Sequence, residues 1–315
     1  MNGAFFTRRW AGLMCSAARV LAPGLLLLGC VASANADDHA PDLDPARAGW
    51  TTAHLEATKL FQSMTVRIGI EQPDDATVAA RLMAPGEHEL LAPPSPTAGL
   101  EFTTEGLGRR NEISLLIDPA SGQVLQRSSQ ETGKRYRHRI YRFGQTGTQR
   151  RTWRPAEGEE DAASTDWSDR REQWFPAPAE VVGQPLTEPG TLIYLVSISD
   201  LAAPGDRFGL HAFSTSDETV YRIDAEVQSP DRVKFDYRRE GGPEAGRAEG
   251  KLEAIRVAIR GRPLTGDDDG ELTLLGMRDV ELLLDPTTRA PLELRGRVAF
   301  FGGVTFELQR LEHGE

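Results

Sequence analysis

The densest chemistry in this chain is the run Arg135-Tyr136-Arg137-His138-Arg139. In an extended segment alternate residues share a side. Arg135, Arg137, Arg139, Tyr141 and Phe143 then line one face, and Tyr136, His138, Ile140 and Arg142 the other. Arg150, Arg151, Trp153 and Arg154 follow on the next segment. A guanidinium presents a planar fork that matches carboxylate, phosphate and sulfate. Arg137, Arg139 and Arg151 are therefore the candidate ligand-binding residues. Neither face of the segment is wholly apolar, so it fits equally a charged sheet edge, where like charges block edge-to-edge aggregation.

The charge distribution leaves the same two readings open. Residues 108–154 hold eleven Lys and Arg against Glu112, Asp118 and Glu131. Residues 155–180 hold eight acids against Arg170 and Arg171. The two blocks either neutralise one another or leave a basic patch for an anion.

Other catalytic signatures are missing. None of the six histidines has a zinc-binding spacing, and there is no nucleophile elbow or phosphate loop. Asp267-Asp268-Asp269-Gly270-Glu271 lacks the alternating ligands of a calcium loop and reads as a charged turn. The two cysteines, Cys15 and Cys30, both precede residue 37, so the rest has no disulfide or thiolate nucleophile. With 36 basic against 47 acidic residues the chain carries −11, which argues against nucleic acid as a partner. No catalytic residue, metal or cofactor is assigned. An enzyme acting on an envelope polymer remains a third reading, since a chain this acidic can always pair two carboxylates.

Residues 1–36 read as a secretory signal: Arg8, Arg9 and Arg19, an apolar run from Val20 to Ala32, then Ala34-Asn35-Ala36 before Asp37. The apolar run is too short to remain as a membrane-spanning helix. Cleavage after Ala36 would release a periplasmic protein. Leu27-Leu28-Gly29-Cys30 offers the alternative of a membrane-anchored lipoprotein through Cys30.

The elements that must position the arginines are mostly strands. Residues 37–63 read as a flexible leader with a short helix between Trp50 and Gln62. Residues 64–154 read as antiparallel strands, with Val66, Ile68 and Ile70 alternating and a second strand over Thr77–Met83. Residues 84–99 read as an irregular loop and 155–180 as an acidic one tethered by Trp167, Trp174 and Phe175. From 181 to 315 the pattern gives a helix opening at Thr187-Glu188-Pro189-Gly190, then regular alternating strands, such as Tyr221/Ile223/Val227, Val233/Phe235/Tyr237 and Val304/Phe306/Leu308. The whole predicts a mainly β (α+β) fold: one curved antiparallel sheet, half-barrel or barrel-like, continuous with 64–154 and covered by one or two short helices. Leu115-Leu116-Ile117-Asp118-Pro119 is echoed by Leu283-Leu284-Asp285-Pro286, as repeated turn chemistry or as a duplication.

Two resemblances bear on function. Leu201-Ala202-Ala203-Pro204-Gly205-Asp206-Arg207-Phe208, with Met277 to Asp285 and Gly303 to Leu308, resembles a bacterial exported β-rich family of unknown function, over about residues 185–312. The hairpin Leu284-Asp285-Pro286-Thr287-Thr288 followed by Pro291-Leu292-Glu293-Leu294 is similar to one in LolA-type periplasmic lipoprotein carriers. That resemblance implies a half-barrel with a helical lid that binds acyl chains, and it transfers no binding residue. Its implication is a non-enzymatic envelope protein holding a lipid or lipid-like anionic ligand on a concave apolar face. A scaffold protein with a filled core and an unknown envelope partner is the alternative. The interior decides between them: an apolar cavity, a filled core or a polar cleft.

Overall fold

The structure, a computed structural model, describes residues 40–59, 62–106, 108–264, 271–299 and 302–314. The expected signal segment with Cys30, and the acidic run Asp267–Asp269, lie outside the described residues.

The fold is mainly β, a large mixed sheet of 16 strands that curves into a partial ring. The first eight strands are β1 (Thr52–Lys59), β2 (Gln62–Glu71), β3 (Ala98–Gly106), β4 (Arg109–Ile117), β5 (Val124–Gly133), β6 (Arg137–Gly144), β7 (Gly147–Arg154) and β8 (Asp169–Pro176). They form an unbroken antiparallel meander. The rest are β9 (Leu186–Thr187), β10 (Arg207–Ser214), β11 (Thr219–Val227), β12 (Asp231–Glu240), β13 (Gly246–Pro263), β14 (Met277–Leu284), β15 (Pro291–Val298) and β16 (Gly302–Glu312). β1 pairs with β16, with Thr52 opposite Glu312, so the two halves join as one sheet. β12 pairs with both β13 and β16, and β12 to β16 thereby close into a circuit of hydrogen-bonded neighbours.

The inner face is filled by α2 (Leu192–Ile198), a helix buried on every side. Its sequence, Leu-Ile-Tyr-Leu-Val-Ser-Ile, is apolar all round, the composition of a helix with no solvent face. Burial pushes the Tyr194 phenol up to about 12. The strand residues expected to need a cover are mostly covered by protein: Tyr221, Ile223, Val227, Val233, Tyr237, Val304, Phe306 and Leu308 all belong to the core around α2. Arg289 closes the C-terminal end of this helix from across the sheet. Its guanidinium donates to Val196 O at 2.9 Å, Ser197 O at 3.2 Å, Ser199 O at 3.2 Å and Leu201 O at 2.7 Å. Val196 O also accepts from the Ser199 hydroxyl at 2.9 Å, and the other three carbonyls would otherwise be stranded in the core.

Three sequence expectations need correction. The segment from Trp50 to Gln62 is strand: Ala53, Leu55 and Ala57 are buried at alternate positions, and Ala53 and Ala57 are too small for the alternation to stand out. The segment after Pro73 is helix α1 (Asp75–Arg81), with Asp74 accepting from Thr77 N at 2.7 Å as its N-cap. Val78 and Leu82, four apart, share one helix face against Leu116 and Leu125 in a small cluster of their own. The buried helix starts later than Thr187, at Leu192, after a 3-10 turn at Pro189–Thr191 whose N-cap is Glu188.

The Asp-Pro echo is real as geometry. In each turn the Asp Oδ1 accepts from backbone N–H groups ahead, Ala120 in the first and Thr287 and Thr288 in the second. In each the fifth residue is left-handed and donates to the Asp carbonyl at 2.9 Å: Gly122 at φ 72° and Arg289 at φ 59°. Both turns abut α2, one through Gly122 near Leu195 and the other through the Arg289 side chain.

Candidate functional site

Beside the filled core lies a cavity of about 470 Å3. It is bounded by the inner faces of β2 to β6, the 3-10 turn before α2, the ends of β10, β14 and β15, and Phe306 of β16. Sheet register sets its polarity. Ile68, Phe102, Ile113, Ser129 and Arg139 are successive partners across five strands. Leu100, Leu115, Arg127, Tyr141 and Arg150 are successive partners in a second row. Inward side chains thus change from aliphatic and aromatic to guanidinium along each row. The apolar wall is completed by Val66, Met277, Val298 and Phe306.

The cationic wall is built around Tyr141. Its ring has the guanidinium carbons of Arg127 and Arg139 at 6.0 and 5.9 Å from its centroid. Cations at that distance from an aromatic face are attracted to it. The Tyr141 hydroxyl accepts from Arg139 Nη1 at 3.3 Å and donates to Thr215 O at 3.3 Å. Arg127 is 6% exposed, and its Nε lies 3.2 Å from Glu188 Oε1. That contact is an ion pair off hydrogen-bond geometry, and Arg127 Nη1 has no hydrogen-bond partner. Glu188 is itself held by Gly190 N, which donates to Oε2 at 2.6 Å, and by the Thr215 hydroxyl on Oε1 at 3.4 Å. A Cβ at position 190 would meet Glu188 Oε2 at 2.7 Å, so a larger residue there would displace the carboxylate from this place.

Most of the inward cations have a carboxylate. Arg137 Nη2 donates to Glu131 Oε2 at 2.9 Å, and Arg150 pairs with Glu218. Arg139 has none among the described residues. Burial above all, with the nearby charges of Arg137, Arg127 and Arg150, pushes it below its usual value, while Tyr141 acts in the other direction. Hydroxyls line the opposite side: Ser214 and Ser216 are 2.9 Å apart, and Ser216 and Thr273 3.0 Å.

The structure brings two of the three expected arginines, Arg137 and Arg139, to this cavity. It does not bring Arg151. Arg150 is the partner of Tyr141 and points inward, so Arg151, the partner of Ile140, points outward, where it pairs with Glu172 at 2.8 Å. The two-residue turn Gln145-Thr146, flanked by Gly144 opposite Gly147, fixes that register and carried the signal for Arg150 over Arg151. Arg127 and Glu188 were missed as site residues. Their pairing joins β5 to a segment 61 positions later, and no local pattern announces such a contact. His138 faces outward, between Ser128 Oγ and Ser164 Oγ at 3.0 Å each, and holds the acidic loop to the sheet.

Among the described residues no three His, Cys, Asp or Glu side chains converge to hold a metal ion. Among the same residues no helix is long and apolar enough to cross a membrane. The chain matches no family model, no curated protein and no solved structure.

Proposed function

We propose that this is a non-enzymatic binding protein of the cell envelope that holds a lipid-like anionic ligand in the cavity between Phe102 and Arg139. The supporting observation is the lining itself. One wall is Val66, Phe102, Ile113 and Phe306, and the other carries Arg127, Arg137 and Arg139. An amphiphile with an anionic head satisfies both walls at once, which a wholly apolar or wholly ionic ligand does not. The volume lies in the lower half of the ~300–1,000 Å3 typical of sites for one small molecule. It suits one chain rather than the several chains of a lipoprotein anchor, so the LolA-like reading is narrowed to a smaller cargo. The envelope address rests on the signal pattern of residues 1–36 and is part of the proposal.

A test is uptake of a fluorescent single-chain fatty acid by the purified protein. Saturable binding at one site per chain is expected. Ile113→Trp, which places a large ring on the apolar wall, should abolish it. Uptake that survives this block would place the ligand elsewhere and overturn the reading.

The scaffold alternative is favoured by a different observation, the filled core around α2. It predicts no uptake at all.

A further inference from the structure

We infer that Arg127 and Arg139 form a head-group subsite for a single carboxylate, so that the ligand is a single-chain carboxylic acid. This rests on the reading of the cavity as an amphiphile site.

The first observation is an unused donor. Arg127 is 6% exposed, lines the cavity, and leaves Nη1 without a partner. A buried guanidinium N–H without an acceptor is costly, and guanidinium groups in protein interiors are normally satisfied. Nη1 has almost no surface open to the cavity, so an acceptor delivered by a ligand would satisfy it after a small turn of the side chain toward the lining.

The second is charge. The Arg127 charge is met by Glu188, that of Arg137 by Glu131 and that of Arg150 by Glu218. Arg139, among the described residues, is met by no carboxylate and engages only the Tyr141 hydroxyl. Arg109, also on the lining, shares Glu131 with Arg137 at 4.0 Å, and the four arginines of the lining exceed its three glutamates, Glu105, Glu131 and Glu188, by one, which calls for one negative charge. A phosphate monoester brings close to two at neutral pH, and it would sit beside Glu188 and Glu131.

The third is shape. Arg127 and Arg139 flank the same Tyr141 ring at 6.0 and 5.9 Å, and a planar carboxylate can take a bond from each fork. Ser129, the register partner of Arg139 and also on the cavity wall, supplies a hydroxyl donor beside them. The chain of the ligand then runs along the row toward Ile113 and Phe102, where the lining becomes apolar.

The test is calorimetric titration of the full chain with decanoate, decyl phosphate and decanol, repeated with Arg139→Gln. Arg139 makes no ion pair, so its loss leaves no buried carboxylate unpaired, and a melting curve checks that the variant is folded. Decanoate should bind one to one and more tightly than either analogue. Arg139→Gln should weaken decanoate about 10- to 100-fold, the scale of a lost charge-assisted contact, and leave decanol unchanged. Tighter binding of decyl phosphate overturns the carboxylate assignment. Equal binding of decanol and decanoate, insensitive to Arg139→Gln, overturns the head-group subsite while the amphiphile reading stands. Failure of all three to bind overturns both.

Discussion

Arg127 Nε lies 3.2 Å from Glu188 Oε1, with side-chain exposures of 7% and 9%. The pair ties the meander of β1 to β8 to the turn that launches the buried helix. Removing one member of such a pair leaves the other charged and desolvated, at a cost of about 3–5 kcal/mol. Glu188→Gln should lower the unfolding free energy by that amount, read as a lower urea midpoint at unchanged slope. The double variant Arg127→Met/Glu188→Gln should recover much of the loss. A single variant as stable as the parent would mean that water reaches the pair.

Gly122 and Arg289 occupy the same place in two Asp-Pro turns, and their substitutions should separate backbone from side chain. Gly122→Ala puts a Cβ on a left-handed residue, about 1–2 kcal/mol of strain. It also brings that Cβ to 3.1 Å from Leu195. Arg289→Ala keeps the left-handed strain and leaves the carbonyls of Ser197, Ser199 and Leu201 without their side-chain donor, so it should cost about 3 kcal/mol or more. Arg289→Gly removes the strain and should be milder than Arg289→Ala by about 1 kcal/mol. Thermal or urea denaturation reads all three, and equal losses for the Ala and Gly variants at 289 would contradict the strain argument.

The strands of the second half were legible because one face is buried and the other wet, so Tyr221, Ile223, Ala225 and Val227 alternate cleanly with charged residues. β3 was not read: Ala98-Gly99-Leu100 is buried at consecutive positions, and Thr104 and Glu105 border a partly polar cavity, so alternation in hydrophobicity fades. β8 was not read because most of Asp169 to Gln173 is exposed on a sheet edge. Helix α1 was mistaken for a strand because Val78, Ala80 and Leu82 also fit period two, although the Asp74 cap and the Val78–Leu82 spacing favoured a helix. The cavity was half legible. Local alternation placed Arg137 and Arg139 on one face, but Glu188 reaches Arg127 only through the curvature of the whole sheet.

Acid should loosen the acidic loop. Burial lowers His138 below its ordinary value of 6.5. The unfolded chain therefore takes up this proton at higher pH than the folded one. The stability that depends on the neutral ring is complete above 6.5 and is lost as pH falls below it toward the folded value. His54, lowered first by burial and then by Arg310, adds in the same direction. Denaturation midpoints measured from pH 7.5 to 5 should fall for the parent and less steeply for His138→Gln. Identical slopes would remove His138 from the account.

Arg151 and Arg139 should behave as opposites. Arg151→Ser removes an outward ion pair with Glu172, worth at most about 1 kcal/mol, and should leave fatty-acid affinity unchanged. Arg139→Ser should weaken affinity while changing stability little. Loss of binding in the Arg151 variant would move the ligand to the outer face of β7.

Native mass spectrometry of the protein purified from its native host cells, without detergent, addresses the cavity most directly. The account predicts one retained adduct per chain, with the mass of a single-chain acid, absent from Ile113→Trp. A bare chain that also takes up no added decanoate would contradict it and leave a filled scaffold in its place.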